Sequence, residues 1–188
     1  MIQHLHTVHT FTATPLGDLL LAATRQGLSG AWFTEGQRGL PDWQSWGAPT
    51  HGHPLLGQAA REMAEYFAGQ RQHFDVPLDL SGGTAFQQSV WRALLDIAAG
   101  DSQSYGQVAA RIGHPAAVRA VGTAVGANPI SVIVPCHRVL GSTGTLAGYG
   151  GGLGRKVALL RREGWQVDLP AGAAPASTLR PQHVAVRR

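Results

Sequence analysis

From residue 7 the chain reads TVHTFTATPLGDLLLAATRQGLSGAWFTE, in which short β-prone stretches are interrupted by turn signals at Pro15-Leu16-Gly17 and Gln26-Gly27. That pattern predicts an antiparallel meander of about three strands. A loop rich in Gly, Pro and Trp follows at 35–49 (EGQRGLPDWQSWGAP). In HPLLGQAAREMAEYFAGQ, Leu55, Leu56, Ala59, Met63, Tyr66 and Phe67 recur at helical spacing, predicting a helix that stops at Gly69. FDVPLDLSGGT then reads as a short strand ending in a Ser-Gly-Gly hinge, and a domain boundary is expected there, near 80–84.

Beyond the hinge the period changes. TAFQQSVWRALLDIAAG sets Phe86, Val90, Trp91, Leu94, Leu95 and Ile97 on one face, with Thr84 as N-cap and Gly100 as stop: a core helix. SYGQVAARIG (104–113) and AAVRAVGTAVGANP (116–129) are two short helical stretches separated by Gly113-His114-Pro115, the signature of a helix-turn-helix. GGLGRKVALLRREG supplies a last helix, and PAGAAPASTLRPQHVAVRR is a low-complexity tail expected to be mobile. The expected division is 1–82, 83–170 and a tail over 171–188.

Composition narrows the class. With 188 residues and 44% hydrophobic content, there is material for one large domain or two small cored ones. A single cysteine excludes an internal disulfide framework and any zinc site built on paired cysteines, and no metal or cofactor is expected. His4, His6 and His9 in HLHTVH lack carboxylate or thiol partners and read as a polar strand face. No apolar run is long enough for a membrane span, and the first 20 residues lack a signal-peptide pattern, so a soluble, cytoplasmic, monomeric protein is expected. The formal net charge of +4 is unevenly spread. Residues 1–83 carry four Arg against seven acids, and residues 84–170 carry seven Arg and Lys156 against four acids, which points the second half toward a polyanion.

The one cysteine lies in SVIVPCHRVLGSTG (131–144), at the end of an apolar run. A thiol becomes a nucleophile as the thiolate, which needs a base or a positive field, and His137 and Arg138 follow directly. In extended chain the side chains of Cys136 and His137 point to opposite sides, so a bend or a bridging water is expected between them. A buried, inert cysteine beside an exposed basic pair is the competing reading of those three residues.

The segment VIVPCHRV, the preceding Asn128-Pro129, the following GYGGG and the upstream helix-turn-helix together resemble the O6-alkylguanine-DNA alkyltransferase family. The resemblance runs in register through Ser104-Tyr105, Arg119-Ala120-Val121-Gly122, Pro135 to Val139, Gly148-Tyr149 and Glu163-Gly164, over roughly 84–166. It implies an α+β protein: an N-terminal RNase H-like α/β domain, then a mostly helical domain with a winged helix-turn-helix. It implies repair by direct reversal, a single-turnover transfer of the alkyl group from O6-alkylguanine in double-stranded DNA to Cys136, and it admits O4-alkylthymine.

By the same resemblance, His137 deprotonates the thiol through water and Glu163 orients the imidazole, whereas as a bare residue beside Arg161 and Arg162 Glu163 reads as a solvated carboxylate. Asn128 ties the recognition helix to the cysteine loop. Arg119 enters the base stack of the flipped-out nucleotide, and Ala120, Arg138 and Lys156 face the DNA. Tyr105 contacts the flipped base, Gly150 offers an N–H to O6, the carbonyls of Cys136 and Val139 accept from the exocyclic amine, and Val125 and Tyr149 form walls. Ser131 and Gly150 stand where some relatives carry proline and serine, which implies a wider pocket. Two other readings compete: a lesion-binding alkyltransferase-like protein, a class that replaces this cysteine, and a cysteine hydrolase with a Cys-His-Glu set.

Overall fold

Leu19, Leu20, Leu21, Ala22 and Ala23 are all buried, so the strand they form must be covered on both faces. In the computed structural model, which describes residues 8–168 and 185–187, it is the middle strand of an antiparallel meander: β1 (Val8–Thr12), β2 (Leu19–Ala23) and β3 (Leu28–Phe33). Leu19, Leu21, Ala23 and Phe33 share a core with Leu56, Ala59 and Met63 of helix α1 (Pro54–Phe67). On the other face, Leu20, Ala22 and Trp32 lie under Leu40, Trp43 and Trp46. The segment expected as plain loop therefore includes a 3-10 turn, Trp43–Trp46, that covers the sheet. His9, expected on a polar face, is instead buried edge-on against Trp46 and Phe11.

The free edge of β3 serves as a ruler for the rest of the chain. Leu28 pairs in parallel with Leu78, and three residues on Ala31 pairs with Ile130. The strand expected within 74–80 shrinks to that one bridge: the Leu28 N–H takes the Pro77 carbonyl, Asp79 returns its N–H to Leu28, and Pro77 has no N–H to extend a ladder.

Helix α2 (Ala85–Leu95) starts at a capping box in which Thr84 and Gln87 exchange bonds. It ends at Leu95, short of the expected stop at Gly100, although Ile97 stays buried beyond it. Ser104 and Gln107 form the same box at the start of α3 (Tyr105–Arg111), and α4 (Val118–Gly126) follows the turn. The indole N–H of Trp91 in α2 donates to the carbonyl of Ala124 in α4 at 2.8 Å, locking the pair to the core.

Short parallel strands β4 (Gln103–Ser104) and β5 (Val139–Leu140) join the start of α3 to the end of the cysteine segment, and α5 (Leu153–Arg162) follows. β6 (Gln166–Asp168) pairs with β7 (Ala185–Arg187), so part of the expected mobile tail is a strand; the rest of it lies outside the described residues. The class is α+β. The main hydrophobic cluster runs from Leu19 in β2 to Leu159 in α5, one core shared by both halves. No helix among the described residues is long and apolar enough to cross a membrane.

Candidate active site

Ala31 fixes where the cysteine segment begins, donating its N–H to the Pro129 carbonyl and accepting from the Ser131 N–H at 2.9 and 2.8 Å. Two one-residue reversals follow. Ile133 bonds back to the Ser131 carbonyl around Val132, whose φ is +72°, and Cys136 bonds back to the Val134 carbonyl around Pro135 at φ −82°, ψ 59°. The second is an inverse γ-turn; the first is its positive-φ counterpart, costing on the order of 1–3 kcal/mol for a β-branched residue. Val132 stays there because its side chain is buried in the core and Ser131 is pinned to β3. Cys136 then opens a 3-10 turn, Cys136–Arg138, so its side chain and that of His137 leave about 120° apart. They do not take the opposite directions expected of extended chain.

Asn128, one residue past the C-cap of α4, is the hub of this loop. Its carboxamide N–H donates to the Cys136 sulfur at 3.0 Å, to the Val134 carbonyl at 2.8 Å and to the Ile130 carbonyl at 3.3 Å, while its oxygen accepts from the Ile130 N–H at 3.0 Å. Burial pushes the Cys136 thiol up, and the Asn128 N–H and the Lys156 charge oppose that rise. Lys156 is wholly buried, donating to the Val139 carbonyl at 2.6 Å and to the Ala147 carbonyl at 3.3 Å. Burial lowers its ammonium to about 8, and a thiolate at Cys136 works the other way. The expectation that Lys156 faces DNA is therefore corrected: its charge is spent inside, on two carbonyls and on the field at Cys136.

Glu163, at the C-cap of α5, has a fully buried side chain, which corrects the solvated-carboxylate reading. Its Oε1 accepts from Arg138 Nη2 at 2.7 Å, from the Tyr66 hydroxyl at 2.8 Å and from His137 Nε2 at 3.0 Å; Oε2 accepts from Arg138 Nε at 2.9 Å. Burial alone would raise this carboxyl, but the bonds and charges of His137 and Arg138 win and hold it well below the usual carboxylate range. His137 is also fully buried, and burial holds its pKa below the ordinary value against the pull of Glu163. With Nε2–H given to the carboxylate, the neutral ring keeps its lone pair on Nδ1, which has no partner among the described residues. Arg138, also expected at the DNA, is buried in this bidentate pair and in a bond to the Ile97 carbonyl; that assignment is corrected as well.

Tyr105 and Tyr149, two tyrosines that feel the Cys136 charge, line a cavity of about 240 Å³ together with Arg38, Gly122, Gly126, Gly148 and Gly150; Cys136 itself is not part of that lining. It is smaller than the roughly 300–1,000 Å³ of drug-sized sites. Burial pushes the Tyr105 hydroxyl up to about 12, with the Cys136 charge adding to it, and burial and Cys136 likewise raise Tyr149. A Cβ on Gly151 would stand 2.7 Å from the Tyr149 ring and 3.2 Å from that of Phe33, so only glycine lets this wall close on the ring. Val125 and Val139 are buried and are not among the lining residues; the Val139 carbonyl already accepts from Lys156. Arg119 and Ala120 lie exposed on α4, away from the buried network.

Sequence reasoning missed the contribution of the first half. Tyr66 reaches Glu163, Gln37 meets Ser131 at 3.2 Å, the Arg38 N–H takes the Gly150 carbonyl at 2.8 Å, and Arg155 ties Gly151 to the Leu16 and Glu35 carbonyls. Only the helical spacing of Tyr66 hinted that it was buried.

Residues 85–165 match the model of the 6-O-methylguanine DNA methyltransferase DNA-binding domain, and residues 7–80 match that family's ribonuclease-like domain. The methylated-DNA--protein-cysteine methyltransferase of Methanosarcina acetivorans is 44% identical over 151 residues, covering 80% of this chain and 94% of that one. The Mycobacterium bovis protein of the same name is 49% identical over 150 residues, covering 80% and 88%. In three dimensions the chain is similar to Mycobacterium tuberculosis OGT crystallised in complex with DNA, with a TM-score of 0.77 and 46% identity over 83% of this chain and 92% of that one. A lone thiol built into a Cys–Asn contact and a buried His–Glu pair, on a chain whose two halves both match one family over nearly the length of its members, leads to one conclusion: the protein belongs to the 6-O-methylguanine DNA methyltransferase family.

Proposed function

We propose that this protein repairs double-stranded DNA by a single-turnover transfer of the alkyl group of O6-alkylguanine to Cys136. The observation that carries the reading is the Cys136 sulfur held at 3.0 Å from the Asn128 amide, in a residue that keeps 5% exposure and acts electrostatically on Tyr105 and Tyr149 of the neighbouring cavity. His137 Nδ1 takes the thiol proton through a water molecule, and Glu163 stabilises the imidazolium that results. The thiolate then attacks the alkyl carbon in line: an S–C bond forms, the C–O6 bond breaks, and its electron pair leaves on O6. Donors facing O6, the Gly150 N–H and the Tyr105 hydroxyl, lower the barrier by stabilising the departing guanine. The reacting carbon is out of reach in stacked DNA, so the base is flipped out and Arg119 fills the gap. Alkylated sulfur is not regenerated, so each molecule acts once.

Incubation with duplex carrying O6-methylguanine is expected to add the mass of one methylene to Cys136, with product reaching a plateau equal to the protein. No mass gain together with retained binding would leave the non-catalytic lesion binder, and continued turnover would indicate the hydrolase. Neither is favoured: the cysteine is present, and relatives at 44–49% identity over most of the chain carry the methyltransferase name.

A further inference from the structure

Tyr66 belongs to α1 in the ribonuclease-like half, 97 residues from Glu163 in sequence, yet its hydroxyl sits 2.8 Å from Glu163 Oε1. It has no exposure at all. The ring is fixed on several sides: the Arg162 guanidinium lies 4.1 Å above its centroid and donates to the Tyr66 backbone carbonyl, and Phe67 and Phe74 pack at 5.3 and 5.4 Å. A phenol that burial and Glu163 keep firmly protonated in such a clamp is a donor aimed at one oxygen. That oxygen is the one that holds His137 Nε2.

The geometry points to Tyr66 as a positioning residue of the transfer reaction, through which the N-terminal half sets the orientation and basicity of His137 by sharing the Glu163 carboxylate. The inference rests on the proposed role of His137 as base. An oxygen that accepts from three donors spreads its charge among them. Removing the phenol leaves more of that charge for the His137 N–H, which favours the imidazolium and makes the ring harder to keep neutral. The other groups around His137 do not compensate. Arg138 on its own turn and Lys156 on α5 both disfavour its charge, Cys136 precedes it, Arg162 is engaged with Tyr66, and the one ionisable residue of α2, Arg92, bonds Gln88 on the exposed face.

The test is the single-turnover rate of methyl transfer from an O6-methylguanine duplex, followed by intact mass between pH 5 and 8, for the parent and Tyr66→Phe. The parent must first transfer its methyl group; if it does not, the proposed function has failed and not this inference. For Tyr66→Phe the midpoint of the acid limb is expected to rise by about half to one pH unit, with a several-fold slower rate at pH 6 and a smaller loss at pH 8. Arg162→Gln, which loosens the clamp without removing the phenol, is expected to move the midpoint the same way by less, and it decides the matter should Tyr66→Phe not fold. A merely structural role would lower the melting temperature and leave the midpoint unchanged, and that result in a folded variant overturns the inference.

Discussion

Asn128→Ala separates what the carboxamide does for the fold from what it does for the sulfur. The Ile130 N–H loses its acceptor inside the core, and the Val134 carbonyl is left with only the bent bond from Cys136. An orphaned buried backbone group costs about 1–3 kcal/mol, so with the weakened carbonyl the whole change is expected to cost about 3 kcal/mol. For a chain of this length that corresponds to a melting point lower by roughly 6–12 °C. The lost N–H···S bond acts on the thiolate: a charge-assisted bond worth about 1.5 kcal/mol slows transfer about tenfold. Thermal unfolding of Asn128→Ala, Cys136→Ala and the double variant isolates the side-chain pair, for which a coupling of about 0.5–1 kcal/mol is expected. Single-turnover transfer measured on Asn128→Ala gives the rate. A coupling near zero, with a melting point and rate equal to the parent's, would refute the account of Asn128 as hub of the cysteine loop.

Arg119→Ala is expected to slow repair in duplex far more than reaction with free O6-methylguanine base, since only the duplex demands extrusion; equal losses in the two rate assays would reject the finger role. DNA affinity is expected to depend only moderately on salt, with a log–log slope of about −2 to −4, because most second-half cations are engaged within the protein; a slope steeper than about −6 in a fluorescence titration would show that the internal pairs open on binding. Stability is expected to fall in two acid stages. His137 and His9 have folded pKa values below their ordinary ones, so the unfolded chain takes up their protons first. Their contribution is complete above about pH 6.5 and is lost as pH falls below it. Glu163, also lowered, adds a second loss that begins near pH 4.3 and deepens below it; a melting temperature flat from pH 7 to 5 would contradict the first stage, and one flat from pH 4.5 to 2.5 the second.

Local signals in the sequence were accurate where a local interaction decides the outcome. Thr84, read as an N-cap, and the helical stretch from Ser104 both begin in the structure at a capping box closed by glutamine. Pro15-Leu16-Gly17 and Gly27 bound the strands of the meander. The turn around Val132 carried no such signal, because a β-branched residue at positive φ is held there by a bond to Ala31 a hundred positions away. Glu163 shows the same limit. Two arginines before it read as solvent neighbours, but Arg162 turns to Tyr66 and Arg161 to the Val167 carbonyl, leaving the carboxylate to Arg138 and His137.

The charge pattern was legible as a sum and misleading as a surface. Of the eight cations between residues 84 and 170, Arg138 and Lys156 are buried, Arg155 and Arg162 bond the first half, Arg111 pairs with Asp96, and Arg92 and Arg161 bond their own neighbourhood. Arg119 alone among them has no side-chain partner among the described residues, and it lies exposed in the first turn of α4. The excess of positive charge in the second half therefore serves mainly to hold the strained cysteine loop, the buried Glu163 carboxylate and the seam to the first half. Of these eight, only Arg119 is left free for the DNA contact proposed above, and in the first half Arg38 lines the cavity. A polyanion read from net charge alone thus agrees with the proposed partner, but for a reason that the positions of these side chains do not support.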